Sequence, residues 1–261
     1  MGRLTNRVAL VTGGGRGIGR SIALAFGQEG CDVAISSRTE AELVSVVSEL
    51  ERIGVKGFAV PADVMSYESI RSAVTRVIQW SGKVDILANN AGGGVPPKTP
   101  TGLQAATHED QAFIDNIQLN LTSAYRASRE VLPHMIEQEY GRIINIGSGY
   151  AKRGGGGLAY TAAKHGIIGL TRAMATEVAA HHITVNCLCP GWTNTQLVNW
   201  DGLAMLWNTT PEGAKAKAAA ENIQNRVLEP DELGPMAALI AAEESAGLIG
   251  QVISVDGGYK V

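Results

Sequence analysis

Seven short runs of apolar, largely β-branched residues punctuate this chain, at 8–11, 33–36, 57–60, 86–88, 143–146, 183–188 and 252–255. The runs are mostly continuously apolar rather than alternating, the pattern of strands buried on both faces of a parallel sheet. Longer segments of helical character separate them, near 17–29, 39–53, 66–80, 109–138, 158–180 and 230–243. Strand–helix–strand repetition requires right-handed crossovers, so the expected fold class is α/β, a doubly wound parallel sheet of about seven strands with helices on both faces. With 261 residues, no internal repeat and no low-complexity linker, the chain reads as one domain spanning 1–261.

Two segments break the rhythm. Residues 92–107 carry three prolines and four glycines after a strand end, where such sheets hold ligands. Residues 190–230 hold Trp192, Trp200 and Trp207 among Leu197, Val198, Leu203, Met205 and Leu206. This second segment reads equally as an apolar lid over a pocket or as a helical excursion packed on the body or at a subunit interface.

Charge narrows the partners. The 22 basic and 25 acidic residues give a net charge of −3 with no Lys/Arg cluster, so neither a nucleic-acid backbone nor an anionic membrane is an expected partner. No run approaches the ~18 apolar residues of a membrane span, and the apolar run at 8–11 is too brief for a signal-peptide core, so a cytoplasmic location is expected. Cys187 and Cys189 lie two apart in a strand and should share a face as small apolar residues; with Cys31 they make an odd number and no disulfide framework. The five histidines show no metal-ligand spacing: His181 and His182 are adjacent, while His108, His134 and His165 are isolated.

Directly after the first strand the chain reads Thr12-Gly13-Gly14-Gly15-Arg16-Gly17-Ile18-Gly19 and then enters a helix. Glycines there let the backbone approach a pyrophosphate at the positive end of that helix. An NAD site would place an acidic residue at the end of the second strand to bind the ribose 2′-hydroxyl. This chain has Ser37 and Arg38 there, with Arg16 within reach, while Asp32 sits at the wrong end of the strand. Guanidinium groups pair with a phosphate, so NADP(H) is expected over NAD(H) as the cofactor.

Tyr160 and Lys164 stand four apart on one helical face. Ser148 closes the fifth strand twelve residues upstream, and Asn120 lies in the long preceding helix. Ser148 is no hydrolase nucleophile, because its glycines flank it immediately instead of two residues away on each side.

Across its full length the sequence resembles the short-chain dehydrogenase/reductase family, with its Rossmann-type sheet. The matching pieces are Thr12-Gly13-x-x-x-Gly17-x-Gly19, Asp63-Val64, Asn89-Asn90-Ala91-Gly92, Asn120, Ser148, Tyr160-x-x-x-Lys164, Pro190-Gly191 with Thr195, and Asp256-Gly257-Gly258. The resemblance implies a catalytic group of Asn120, Ser148, Tyr160 and Lys164. It also implies a cofactor lined by Gly13, Arg16, Gly17, Ile18, Gly19, Ser37, Arg38, Asp63, Val64, Asn90, Ala91, Gly92, Pro190, Gly191, Thr193 and Thr195, with Asp63 on the adenine and Thr193 and Thr195 at the nicotinamide end. Tyr160 and Lys164 would touch the cofactor too, and Asn120 would anchor a water leading from Lys164 to solvent.

Ketone reduction leaves an alkoxide that must be protonated, and bringing a tyrosine from near 10 to about 7 takes roughly 4 kcal/mol of preferential phenolate stabilisation. Lys164 and the oxidised nicotinamide are expected to supply that positive field, and Ser148 a hydrogen bond to the carbonyl oxygen. Family members commonly space serine and tyrosine by thirteen; here the spacing is twelve, with Gly154–Gly157 between, and Tyr150 and Arg153 are expected to point toward the substrate. Carrier-protein reductases of the family dock an acidic carrier on basic residues. Here 137–140 read Glu-Gln-Glu-Tyr and 181–182 read His-His, favouring a free, partly apolar small-molecule ketone or alcohol over a carrier- or CoA-linked 3-oxoacyl or 3-hydroxyacid substrate. A dinucleotide-binding sensor or scaffold is the non-enzymatic alternative. The resemblance further implies a homo-oligomer, dimer or tetramer, paired through the helices of Asn120 and Tyr160.

Overall fold

A computed structural model describes residues 2–95, 106 and 109–260. Seven strands form one parallel sheet: β1 (Val8–Thr12), β2 (Asp32–Ser37), β3 (Gly57–Pro61), β4 (Ile86–Asn89), β5 (Gly141–Ile146), β6 (Ile183–Pro190) and β7 (Val252–Val255). Their order is β3-β2-β1-β4-β5-β6-β7, so the winding reverses between β1 and β4 and opens a crevice at the carboxyl ends of those strands.

Successive residues of each strand feed opposite layers. Leu10, Leu87, Ile143 and Val185 pack with α3 (Tyr67–Ser81) and with two further helices described below. Ala9, Val11, Ile86, Ala88, Ile144 and Leu188 pack with α1 (Gly17–Gln28) and α2 (Glu40–Ile53) on the other face. Both faces are therefore covered, which is why the strands are mostly apolar and bury even their polar members, such as Asn145, Thr184 and Asn186.

The segment expected as one helix over 109–138 is α4 (Asp110–Ile117), a π turn (Gln118–Thr122) and α5 (Ser123–Glu137) in continuous succession. Asn120 Nδ2 donates to the Asn116 carbonyl at 3.0 Å within this turn, the acceptor an α-helical ladder would offer to the backbone amide of Asn120. Next come α6 (Leu158–Val178) and the 190–230 excursion, which holds α7 (Trp200–Leu206) and α8 (Pro211–Ala220). The helix expected over 230–243 is shorter: a 3₁₀ turn at Pro230–Glu232 and then α9 (Gly234–Ala241), on the α1 face.

A buried polar chain ties the second layer to the sheet. Asn89 Nδ2 donates to Asn145 Oδ1 at 2.8 Å and to Ser128 Oγ at 3.0 Å, and Asn145 Nδ2 donates to Thr171 Oγ1 at 2.9 Å. β4, β5, α5 and α6 are thereby held in register where they carry the site residues.

Candidate active site

Where β1 meets α1, Gly13 and Gly17 take positive φ of 64° and 53°, and a Cβ on Gly19 would lie 2.1 Å from the Gly13 carbonyl oxygen. Only glycine closes this turn. The N-cap residue Arg16 makes no side-chain cap, which leaves the first-turn amides of α1 unspent at the positive end of the helix. They border a groove of about 500 Å³ lined by Gly13, Arg16, Gly17, Ile18, Ser37, Arg38, Glu42, Asp63, Val64 and Asn90 to Gly92. Asn90 fastens the far wall, its Nδ2 donating to the carbonyls of Thr12 at 3.0 Å and Gly13 at 3.1 Å. Free helix-terminal amides behind a glycine turn are the donor set a dinucleotide pyrophosphate needs, so the residues present fit such a cofactor.

The two arginines of the groove differ. Arg38 is exposed and makes no ion pair among the described residues, whereas the Arg16 guanidinium lies 3.4 Å from the Glu42 carboxylate. Sequence reasoning passed over Glu42, which comes from the first turn of α2 and occupies the same groove.

Beyond the crevice lies a second cavity of about 550 Å³, lined by Ser148, Tyr160, Lys164, Pro190, Gly191, Thr193 and Thr195 together with Asn90 and Gly92. Ile18, Asn90, Gly92, Gly94, Val95, Thr195 and Leu197 border both spaces, which places the cluster next to the groove. Lys164 is 4% exposed, and its Nζ donates to the Ile146 carbonyl at 2.8 Å and lies 5.7 Å from the centre of the Tyr160 ring. Burial holds this ammonium down to about 8. Burial raises the Tyr160 phenol above its usual range, and the Ser148 side chain at its hydroxyl works in the opposite direction. In the protein alone desolvation of the phenol outweighs the Ser148 hydrogen bond, so the net shift is upward, whereas the expected depression calls on the oxidised nicotinamide as well as Lys164.

Asn120 is 2% exposed and grips the loop after β4: its Oδ1 accepts from Gly93 N at 2.9 Å and its Nδ2 donates to Gly93 O at 2.8 Å. One helical turn earlier, Asn116 repeats the pattern on Val95, accepting from its amide at 3.1 Å and donating to its carbonyl at 2.8 Å. Gly93 and Val95 both line the cavity.

The profile of the short chain dehydrogenase family matches residues 7–202. This chain belongs to that family. It is 35% identical to the 3-oxoacyl-[acyl-carrier-protein] reductase FabG of Staphylococcus epidermidis over 97% of this chain and 98% of that protein. Its fold superposes on a point variant of actinorhodin polyketide ketoreductase with NADPH at a TM-score of 0.90, with 34% identity and coverage of 100% and 99% of the two chains. Levodione reductase gives the same TM-score at 28% identity, with 98% of each chain covered.

Within this short-chain dehydrogenase the candidate residues line two connected places, groove and cavity, except Gly19 and Asn120, which line neither. Asp63 lines the groove with its Oδ1 accepting from Met65 N at 2.9 Å, and Thr193 is buried with its Oγ1 donating to the Gly191 carbonyl at 3.1 Å. Cys187 and Cys189 share a buried face with their sulfurs 3.7 Å apart. Among the described residues no group of three or more His, Cys, Asp or Glu gathers at metal-binding distance, and no helix is long and apolar enough to cross a membrane. His108 and most of the 92–107 loop lie outside the described residues.

One expectation needs correction. Tyr150 lines the cavity as expected, but Arg153 is exposed and is not one of its lining residues. Residues 137–140 and 181–182, weighed for carrier docking, precede β5 and β6, whereas the cavity lies at the other end of those strands, about 20 Å along a six-residue strand. The 190–230 excursion contributes Leu197, Val198, Leu203 and Leu206 to the cavity wall, while Met205 is 84% exposed.

Proposed function

We propose that this short-chain dehydrogenase is an NADP-dependent oxidoreductase that interconverts a ketone and a secondary alcohol on a small, partly apolar substrate, with Tyr160 as general acid and base. The observation that carries the reading is the meeting of Ser148, Tyr160 and Lys164 in one cavity beside the glycine-turn groove. When bound, a nicotinamide dinucleotide exchanges hydride with the substrate carbon. The α1 amides hold the pyrophosphate, and Asp63, Asn90, Ala91 and Gly92 line the adenosine and ribose path. Pro190, Gly191, Thr193 and Thr195 border the nicotinamide end. Ser148 donates to the carbonyl oxygen as charge develops there, and Tyr160 gives that oxygen its proton in reduction and removes it in oxidation. Lys164 sets the positive field at the phenol. Asn120 holds Gly93 through both atoms of its side-chain amide.

Preference for NADP(H) is supported by Arg16 and Arg38 in the groove and by the lack of an acid at the end of β2. Apolar lining with Lys164 as its one charged side chain among the described residues supports a neutral substrate. A second reading, reduction of a carrier- or CoA-linked 3-oxoacyl group, is favoured by the likeness to the staphylococcal carrier-protein reductase. Rates on a carrier-linked ketone against a free apolar ketone separate the two.

Tyr160→Phe tests the mechanism. Turnover is expected to fall at least a hundredfold while NADPH still binds, measured by nucleotide fluorescence. Unchanged turnover would remove Tyr160 from the reaction.

A further inference from the structure

Three aromatic rings form part of the cavity wall past Ser148: Tyr150, Trp192 and Tyr259. Tyr150 stands edge-on to both others, with centroids 6.3 Å from Trp192 at 86° and 5.9 Å from Tyr259 at 83°. Trp192 and Tyr150 are closely packed by their neighbours. Trp192 is packed by Trp200 at 6.0 Å and Trp207 at 6.1 Å, neither of which lines the cavity. Its indole N–H is spent on Glu221 Oε2 at 2.7 Å, and Glu221 is itself held by Lys260 Nζ at 3.0 Å. Tyr150 lies against Gly155 and Gly156, at φ of 114° and 71°, where a Cβ would stand 2.9 Å and 3.0 Å from its ring. The glycine run between Ser148 and Tyr160 is therefore shaped around this ring.

The polar edge of Trp192 is consumed by Glu221, while the Tyr259 hydroxyl is buried without a hydrogen-bond partner among the described residues, so the three rings offer π faces and C–H edges, and no charge, to whatever fills the cavity. A saturated group gains only burial from such a wall, whereas an aromatic group gains edge-to-face or offset contacts in addition. We propose that Tyr150, Trp192 and Tyr259 form a subsite for an aromatic ring, so that the substrates are uncharged ketones carrying an aryl group, and the corresponding alcohols. This rests on the reading of the site as a ketone reductase and names its substrate class.

The test is a matched pair, 4-phenylbutan-2-one and 4-cyclohexylbutan-2-one, whose reacting carbonyls are not conjugated to the ring and so are chemically equivalent. With NADPH, wild-type kcat/KM is expected to favour the phenyl ketone about tenfold. In Tyr150→Leu and in Trp192→Leu the ratio should fall below threefold. The ratio is measured within one enzyme sample, so a loss of folded protein cancels. Equal rates in the wild type, or a preference that survives both substitutions, would overturn the aryl subsite while leaving the reductase reading standing. Turnover of neither ketone would overturn the free-ketone reading, and the subsite with it.

Discussion

Lys164 and Arg38 show how differently two basic side chains behave in one protein. Lys164 is buried on α6 with its ammonium on the Ile146 carbonyl and loses its proton near 8, well below the ordinary lysine range. The unfolded chain binds that proton up to about 10.4, so between about pH 8 and 10.4 it holds more protons than the folded protein, and stability from this group rises with pH across that window. The penalty present below pH 8 is roughly 3 kcal/mol. Denaturant titrations of wild type and Lys164→Met at pH 7 and 9.5 should show that the wild type gains stability relative to the variant at the higher pH; a constant difference would contradict the buried ammonium. Arg38 is exposed and free of ion pairs among the described residues, so its charge is available to a 2′-phosphate. Arg38→Ala should weaken NADPH binding about tenfold and leave NADH binding within twofold, by fluorescence titration. Tyr160 and Lys164 are legible in sequence because an i, i+4 pair shares a helical face wherever the helix sits. Glu42 is not, because its groove exists only once α2 packs beside the glycine turn.

At the scale of elements, the junction of α4 and α5 decides the shape of the cavity rim. A π turn leaves no mark in an apolar period of this length, so the sequence shows one helix where the structure has three pieces. Asn116 escaped notice for a related reason, since an asparagine inside a helix reads as a surface residue until the loop it bonds is known. Its two bonds to Val95 repeat those of Asn120 to Gly93, so the helix face clamps alternate residues of an extended loop. Asn116→Leu leaves the Val95 amide and carbonyl without those partners, a loss of about 1–3 kcal/mol. The expected signature is faster hydrogen exchange at Gly93 and Val95, with β5 unchanged, and a KM for ketone raised several-fold while NADPH affinity holds. Unaltered exchange at Val95 would show that the clamp does not hold the loop.

Over the whole molecule, the doubly wound architecture is legible because seven continuous apolar runs admit few other arrangements. The sheet order is what sequence lacks, and it is the order that brings β1, β4 and β5 side by side and sets the glycine turn beside Ser148. The same topology separates the ends of β5 and β6, which is why residues read as a carrier-docking surface stand far from the cavity. The aromatic wall likewise draws on residues 150, 192 and 259, distant in sequence and joined only by folding. The most direct test of the account follows the hydride itself. Wild-type enzyme is given NADPH carrying deuterium at both C4 positions together with 4-phenylbutan-2-one, and the product is weighed by mass spectrometry. The account predicts an alcohol one mass unit heavier than that from unlabelled cofactor, with the deuterium on the carbinol carbon; alcohol without the label would contradict it.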